Sequence, residues 1–451
     1  MVDSSNNPLQ RGLENIQAPF SKFIRAQTSS SIFMLVAAIA ALWWANSAYS
    51  SFYQNLLATH LGIFFEEIKL EASLKHIVND GLMVLFFFLI GLEIKRELLS
   101  GDLAKPASRY MLILCALGGM LCPAAIYLVI NWSLDSKMGW GIPMATDAAF
   151  ALGALALMKK RLPASLFAFV VGLAIVDDIG AILVIAFFYT QEINLFYLMF
   201  SLVLIMSLGL ANYANIQHPL VYIIIGIPAS WLMYQSGVHP TFAGILIAMT
   251  VPASPKKSAM KMLAKAKEKI DEIQKSDEAI DPLGSRQHHK KLVAVRDYSE
   301  SASVPLRRWE DALDLPISLL VLPLFALLNA GLPLSLDTLA ESVKSPIGMG
   351  ILGGLIFGKV LGVSGACWIA LHFKIGELPE GLNFKYVLGA SFITGIGFTM
   401  STFISTLGFD AQPAYLQLAK TAIIVASIIA AFMGLMILWF ISRNEKDTET
   451  H

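Results

Sequence analysis

Apolar runs of about 20 residues recur along nearly the whole chain, parted by short polar connections. Coiled as α-helix, a run of that length crosses a hydrocarbon core of about 30 Å. The pattern predicts twelve spans, near 31–49, 80–99, 109–131, 141–158, 164–188, 195–214, 219–235, 237–253, 315–331, 345–372, 386–408 and 416–441. A membrane β-barrel would show short alternating segments instead. The expected fold class is therefore all-α and polytopic.

Composition agrees: 56% of residues are hydrophobic and only 15% charged, too little polar surface to cover a soluble globule. Basic and acidic residues are equal in number, which argues against a polyanion partner such as nucleic acid. Their placement is more telling. Connections after even-numbered spans carry Lys95, Arg96, Lys105 and Arg109, then Lys159, Lys160 and Arg161, then a basic stretch from Lys256 to Arg308. Odd-numbered connections carry far fewer, so both termini are expected on the cytoplasmic side. Residues 1–30 read as a cytoplasmic tail without a cleaved export signal. Spans one to eight occupy 31–253, a long basic cytoplasmic loop 254–313, spans nine to twelve 314–441 and a second tail 442–451. Cys115, Cys122 and Cys367 fall inside apolar runs without a CxxC pair, so packing is their expected role.

Within the loop, Ala259, Leu263, Ala266, Ile270 and Ile273 recur at helical spacing. Two readings stay open: an amphipathic helix on anionic headgroups, or a solvated linker with some helicity. Ser285, Arg286 and the paired His288 and His289 read as flexible linker.

Most ionisable residues lie at span ends. Asp147 in GIPMATDAAFALG, Asp177 and Asp178 in VGLAIVDDIGAI, and Lys359 in GGLIFGKVLGV lie near the middle of spans instead. Burying such a charge costs from about 2.5 kcal/mol upward unless it is paired or faces water, so the four are functional candidates. A stabilising ion pair alone would not need three carboxylates for one ammonium. A mobile cation or proton supplies the balance. Asp177 and Asp178 point about 100° apart on a helix, so one is free to pair while the other faces a pathway. Closely spaced carboxylates raise each other's proton affinity, and carboxylate oxygens with the hydroxyl or carbonyl of Thr146 suit a hard monovalent cation.

Two spans carry breaks. Pro143 and the Thr146–Asp147 pair interrupt the fourth, and Gly395 and Gly397 in GASFITGIGFTMSTF interrupt the eleventh. Unwound backbone is tolerated at that depth only when buried in protein or lining a cavity. Tight helix packing at small residues is the alternative for the glycines. Spans four and eleven cross in opposite senses, as in an inverted repeat, and would bring paired helix ends together inside the bilayer. Asp147 is then placed to neutralise N-terminal ends and Lys359 C-terminal ends.

These motifs, with DGLMVLFFFLIGLEIKREL, SGVHPTFAG, LPLFALLNAG and GIGFTMSTFI in the same order, resemble the bacterial NhaA-type sodium/proton antiporter family. The resemblance covers nearly the whole membrane part. It implies an assembly domain beside a core of two inverted three-helix repeats, spans three to five and ten to twelve. It implies that Asp177 and Asp178 bind the sodium ion and the proton, that Thr146 and Asp147 belong to the broken fourth span, and that Lys359 pairs with an aspartate and compensates helix dipoles. Internal sodium or lithium would leave in exchange for more external protons, electrogenically, with no nucleotide or other cofactor, and with activity rising at alkaline pH. Family members resemble homodimers.

The resemblance also assigns Glu93 and Glu97 to a cytoplasmic funnel, and His239 and Glu310 to the pH response. Glu93 and Glu97 read equally as a helix-end cluster with Lys95 and Arg96, and His239 as a local helix cap. The segment before Glu310 departs from the family pattern, whose corresponding loop is usually much shorter. An intramembrane aspartyl protease also needs two buried acids, but its GxGD signature is absent. Composition alone does not exclude a passive channel.

Overall fold

The computed structural model describes residues 30–65, 68–101, 106–190, 192–255, 258–274, 286–333 and 335–449. Nearly all of the expected N-terminal tail lies outside these residues. Helix α1 (Ser30–Ala45) meets α2 (Ser50–Ala58) at a bend of 114°. An antiparallel hairpin follows, in which β1 (His60–Phe65) pairs with β2 (Ile68–Ser73), from His60 opposite Ser73 to Phe65 opposite Ile68. The all-helical expectation passed it over, because six residues per strand are short against a 20-residue apolar run. The alternation of Ile68, Leu70 and Ala72 with Lys69, Glu71 and Ser73 was the available signal.

Ser73 then caps α3 (Leu74–Ser100), its hydroxyl accepting from the His76 N–H at 3.2 Å. After α4 (Pro106–Asn131) the chain forms a 3-10 helix over Asp135–Met144 and leaves helical geometry at 145–147, before α5 (Ala148–Ala156). The fourth apolar run is thus two half-helices, interrupted where Pro143 and the Thr146–Asp147 pair predict a break. The chain continues through α6 (Ala164–Phe188), α7 (Leu195–Tyr213), α8 (Pro219–Gln235) and α9 (Pro240–Thr250). Proline opens the last two at a position whose N–H would have no partner anyway.

In the long loop lie α10 (Ala259–Gln274) and α11 (Arg286–Ala302). Next come α12 (Pro305–Asn329), α13 (Leu336–Lys344), α14 (Pro346–His372), α15 (Phe384–Ile393), α16 (Phe398–Gly408) and α17 (Pro413–Glu449). Helix α12 starts at Pro305, so the polar stretch before 314 is helix rather than loop. Likewise α17 runs through most of the expected C-terminal tail. Among the described residues, seven helices are long and apolar enough to cross a membrane, or nine if α1 with α2 and α15 with α16 each count as one bent span. Helices α8 and α9 are shorter but apolar.

The chain divides into two compact units. One holds residues up to Phe86, Glu97–Gln191 and everything from Leu315. Within it α4 and α14 cross at Gly118 and Gly362, where a Cβ on either residue would run into the other's carbonyl oxygen. Small residues let membrane helices approach backbone to backbone in this way. Just along α14, residues Gly353–Gly358 form a π-helical stretch that ends at Lys359.

The second unit holds Phe87–Arg96 and Glu192–Asp314. Leu92, Leu208, Tyr222, Met233 and Ala248 are among its core, and Trp309 packs edge-on against Tyr222 at 4.9 Å. Lys95 donates to the carbonyls of Met249 at 2.6 Å and Val251 at 2.5 Å, satisfying the C-terminal end of α9. In the loop, α10 packs along α11 with Met262, Ala266 and Ile273 buried, whereas Leu263 and Ile270 stay exposed. The apolar arc on α10 is wider than one neighbouring helix covers, so only part of the expected face is buried.

Candidate functional site

Helix α6 is apolar almost throughout, and its only charges, Asp177 and Asp178, are both buried. Against it stands Lys359, fully buried, whose Nζ lies 2.7 Å from Asp177 Oδ2. The lysine is held in place by the fit of its helix: a Cβ at Gly354 would meet Pro143 Cβ at 2.6 Å, and one at Gly358 would meet Pro123 Cα at 2.6 Å. Pro143 thus serves both the break and the packing beside it.

The two breaks touch. The Asp147 N–H donates to the Ile396 carbonyl at 2.7 Å, and the Thr146 hydroxyl lies 2.9 Å from the Thr394 carbonyl and 2.7 Å from Asp177 Oδ2. A hydroxyl has one hydrogen, so Thr146 satisfies one of these acceptors at a time. Asp177 Oδ1 is buried with no hydrogen-bond partner among the described residues. Helix α15 bends into α16 by 49° across Thr394–Gly397. A Cβ at Gly395 would collide with the Leu355 carbonyl oxygen, and one at Gly397 would come within 3.1 Å of the Ala145 carbonyl oxygen. Here glycine is needed for close backbone approach rather than for flexibility.

One carboxylate joins both half-helices. Asp147 Oδ1 accepts from the Phe150 N–H at 3.1 Å, capping α5. Its Oδ2 accepts from the Thr399 N–H at 2.9 Å and from the Thr399 hydroxyl, in the first turn of α16. Two N-terminal partial positive charges therefore converge on a single negative group. Thr399 and Thr394 were not singled out in the sequence. Lone threonines are common in membrane helices, and the hydroxyl-rich TMST run that opens α16 was the signal that could have found them.

Asp147, Thr146, Asp177, Lys359, Gly395 and Gly397 thus come together in one unit, with Asp178 at the next position on α6. Glu93 and Glu97 are partly buried on α3. His239 and Glu310 belong to the second unit. His239 occupies the N-cap position of α9, with Nδ1 2.8 Å from the Thr241 hydroxyl. Glu310 is buried on α12, where Oε1 accepts from Arg96 Nε at 2.9 Å with Arg307 Nη1 3.6 Å away.

Buried carboxylates and one ammonium at the junction of two interrupted apolar helices define a polytopic membrane protein with an intramembrane polar centre. The chain belongs to the Na+/H+ antiporter 1 family, whose model matches residues 21–438. It is 60% identical over 446 residues to Na(+)/H(+) antiporter NhaA 2 of Psychromonas ingrahamii, covering 99% of this chain and 94% of that protein. It is 59% identical to Na(+)/H(+) antiporter NhaA 1 of Shewanella denitrificans, over 98% of this chain and 99% of that protein. The antiporter NhaA of Sulfurimonas denitrificans is 41% identical over 97% of this chain and 98% of its own length.

Proposed function

We propose that the protein exports sodium or lithium from the bacterial cytoplasm in exchange for a larger number of protons, as an electrogenic, pH-regulated inner-membrane antiporter. Family membership and the names of the relatives support sodium/proton exchange. The observation that carries the site is the fully buried Lys359–Asp177 pair beside the two helix breaks, with the buried carboxylates of Asp147 and Asp178 in the same unit. Asp177, Asp178 and the Thr146 hydroxyl supply hard oxygen ligands for the cation, and protons take the same carboxylates once it leaves. Lys359 holds the negative charge of Asp177 while neither is bound. Asp147 keeps two helix ends satisfied so that the breaks persist in lipid.

In this reading twelve spans cross the membrane with both termini inside, spans three to five and ten to twelve form the inverted repeats, and Glu93, Glu97, His239 and Glu310 tune activity with pH. The working form is a homodimer. Reconstitution tests the core of the reading: sodium added to proteoliposomes with an imposed pH gradient should collapse the gradient saturably, and choline should not. Collapse without sodium would mean a leak, and no collapse at any pH would remove the reading. A voltage-sensitive dye in the same vesicles reads electrogenicity.

A further inference from the structure

Tyr189 closes α6, about three turns beyond Asp177 and Asp178 on the same helix. Its hydroxyl donates to the Met138 carbonyl at 2.7 Å and accepts from the Gly141 N–H at 3.1 Å, so both of its roles go to the 3-10 helix ahead of the break in the fourth span. The ring reaches the other interrupted span. A Cβ at Gly408, the last residue of α16, would come within 3.0 Å of Tyr189 Cε1 and 3.5 Å of the Met138 carbonyl oxygen. One at Gly141 would come within 2.8 Å of the Tyr189 hydroxyl oxygen. Both glycines make room for the same side chain.

The two half-helices that Tyr189 joins run side by side back to the breaks. The Ser401 hydroxyl donates to the Ile142 carbonyl at 2.7 Å, and a Cβ at Gly139 would meet Phe409 Cζ at 2.6 Å. Helix α6 therefore holds the fourth span at two levels, through Asp177 and Thr146 at the break and through Tyr189 at the far end. Tyrosines near a membrane surface commonly turn their hydroxyl to water, whereas this one is taken up by backbone. We propose that Tyr189 is a positioning residue for exchange, a latch that holds the ends of both interrupted spans against α6 and keeps the outer side of the site shut while sodium binds from the cytoplasm. This rests on the antiport reading and its orientation, in which residues 135–144 and 398–408 are the outer halves of spans four and eleven. For sodium to leave outward those halves must part from α6, and the hydrogen bonds of Tyr189 oppose that movement.

Tyr189→Phe keeps the ring and removes the hydroxyl. Losing about one net hydrogen bond moves the open–closed balance about fivefold, so in right-side-out vesicles the sodium concentration that half-saturates exchange from the outer face should fall by about that factor. In everted vesicles the value for the cytoplasmic face should not fall. A merely structural role would move both faces alike, so an equal change at both, or none at either, overturns the proposal. Tyr127→Phe is the control, because its hydroxyl donates to the Ser136 carbonyl at 2.8 Å in the same 3-10 helix. It should show no sided shift, and a shift of the same size would overturn the role given to Tyr189. A second readout needs no transport. In purified full-length protein, amides of residues 139–144 and 405–411 should exchange hydrogen faster in Tyr189→Phe than in the parent, and unchanged protection at 405–411 overturns the latch. Parent vesicles without exchange at either face would count against the antiport reading, and hydrogen exchange would still decide whether Tyr189 joins the two spans.

Discussion

Lys359→Ala would leave Asp177 buried with the Thr146 hydroxyl as its one remaining hydrogen-bond donor among the described residues. Removing one partner of a buried pair costs about 3–5 kcal/mol, so the variant should unfold at markedly lower temperature and lose exchange together. Arginine should restore part of both; unchanged melting and exchange in the alanine variant would show that the pair does not matter. Asp178→Asn separates the two effects. An amide of similar size carries no charge to bury in lipid, so the protein should insert and melt normally while exchange vanishes. Sodium added to the wild type at alkaline pH should release protons by linkage, and markedly fewer from the asparagine variant. Normal exchange there would move the site to Asp177 or Asp147. Asp147, Asp177, Asp178 and Lys359 were legible because a charge inside an apolar run is costly whatever its partner. Their partners were not. Nothing local tells that Asp147 receives Thr399, 252 positions on.

At the scale of elements the breaks were readable and their geometry was not. Pro143 and the Gly395–Gly397 pair forecast interruptions, but the 3-10 form of Asp135–Met144 and the π-helical stretch before Lys359 depend on tertiary fit. The backbone contact between Asp147 and Ile396 makes the two breaks one structural unit. Gly395→Ala should test this, because its Cβ meets the Leu355 carbonyl oxygen rather than a side chain that can swing away. Overpacking of this kind costs roughly 1–3 kcal/mol, and the displaced break should weaken sodium affinity as well as stability. An Ala390→Gly control on α15 should lower stability alone. A Gly395→Ala protein with parental melting and sodium affinity would mean that the breaks move independently. Thr399→Val removes a hydroxyl donor to Asp147 and leaves the backbone donor, so it should cost about 1 kcal/mol, with serine restoring it.

At the scale of the whole chain, hydropathy read the membrane character well. It did not show where helix replaces loop at Pro305, because the first turns of α12 are polar and arginine-rich. The long loop is bracketed by its own ends: the Leu306 N–H donates to the Pro252 carbonyl at 3.2 Å. Residues 253–305 therefore leave and return at one place, and α10 with α11 forms a pair that needs no help from the apolar helices to satisfy its backbone. Matches to the Psychromonas and Shewanella relatives run over 98–99% of this chain, so the loop lies inside the region they share. A shared, self-contained excursion points to modulation rather than to the transport step. Replacing 257–304 by a short Gly/Ser linker spans a small gap, since closing a loop depends only weakly on its length. The shortened protein should insert, melt near the parent temperature and exchange sodium for protons, with a shifted pH profile as its one change. Glu310 and its partner Arg96 both remain in it, so a shift would originate in α10 and α11 and not in that ion pair. Loss of all exchange in a shortened protein that still inserts and melts normally would place part of the transport machinery in the loop.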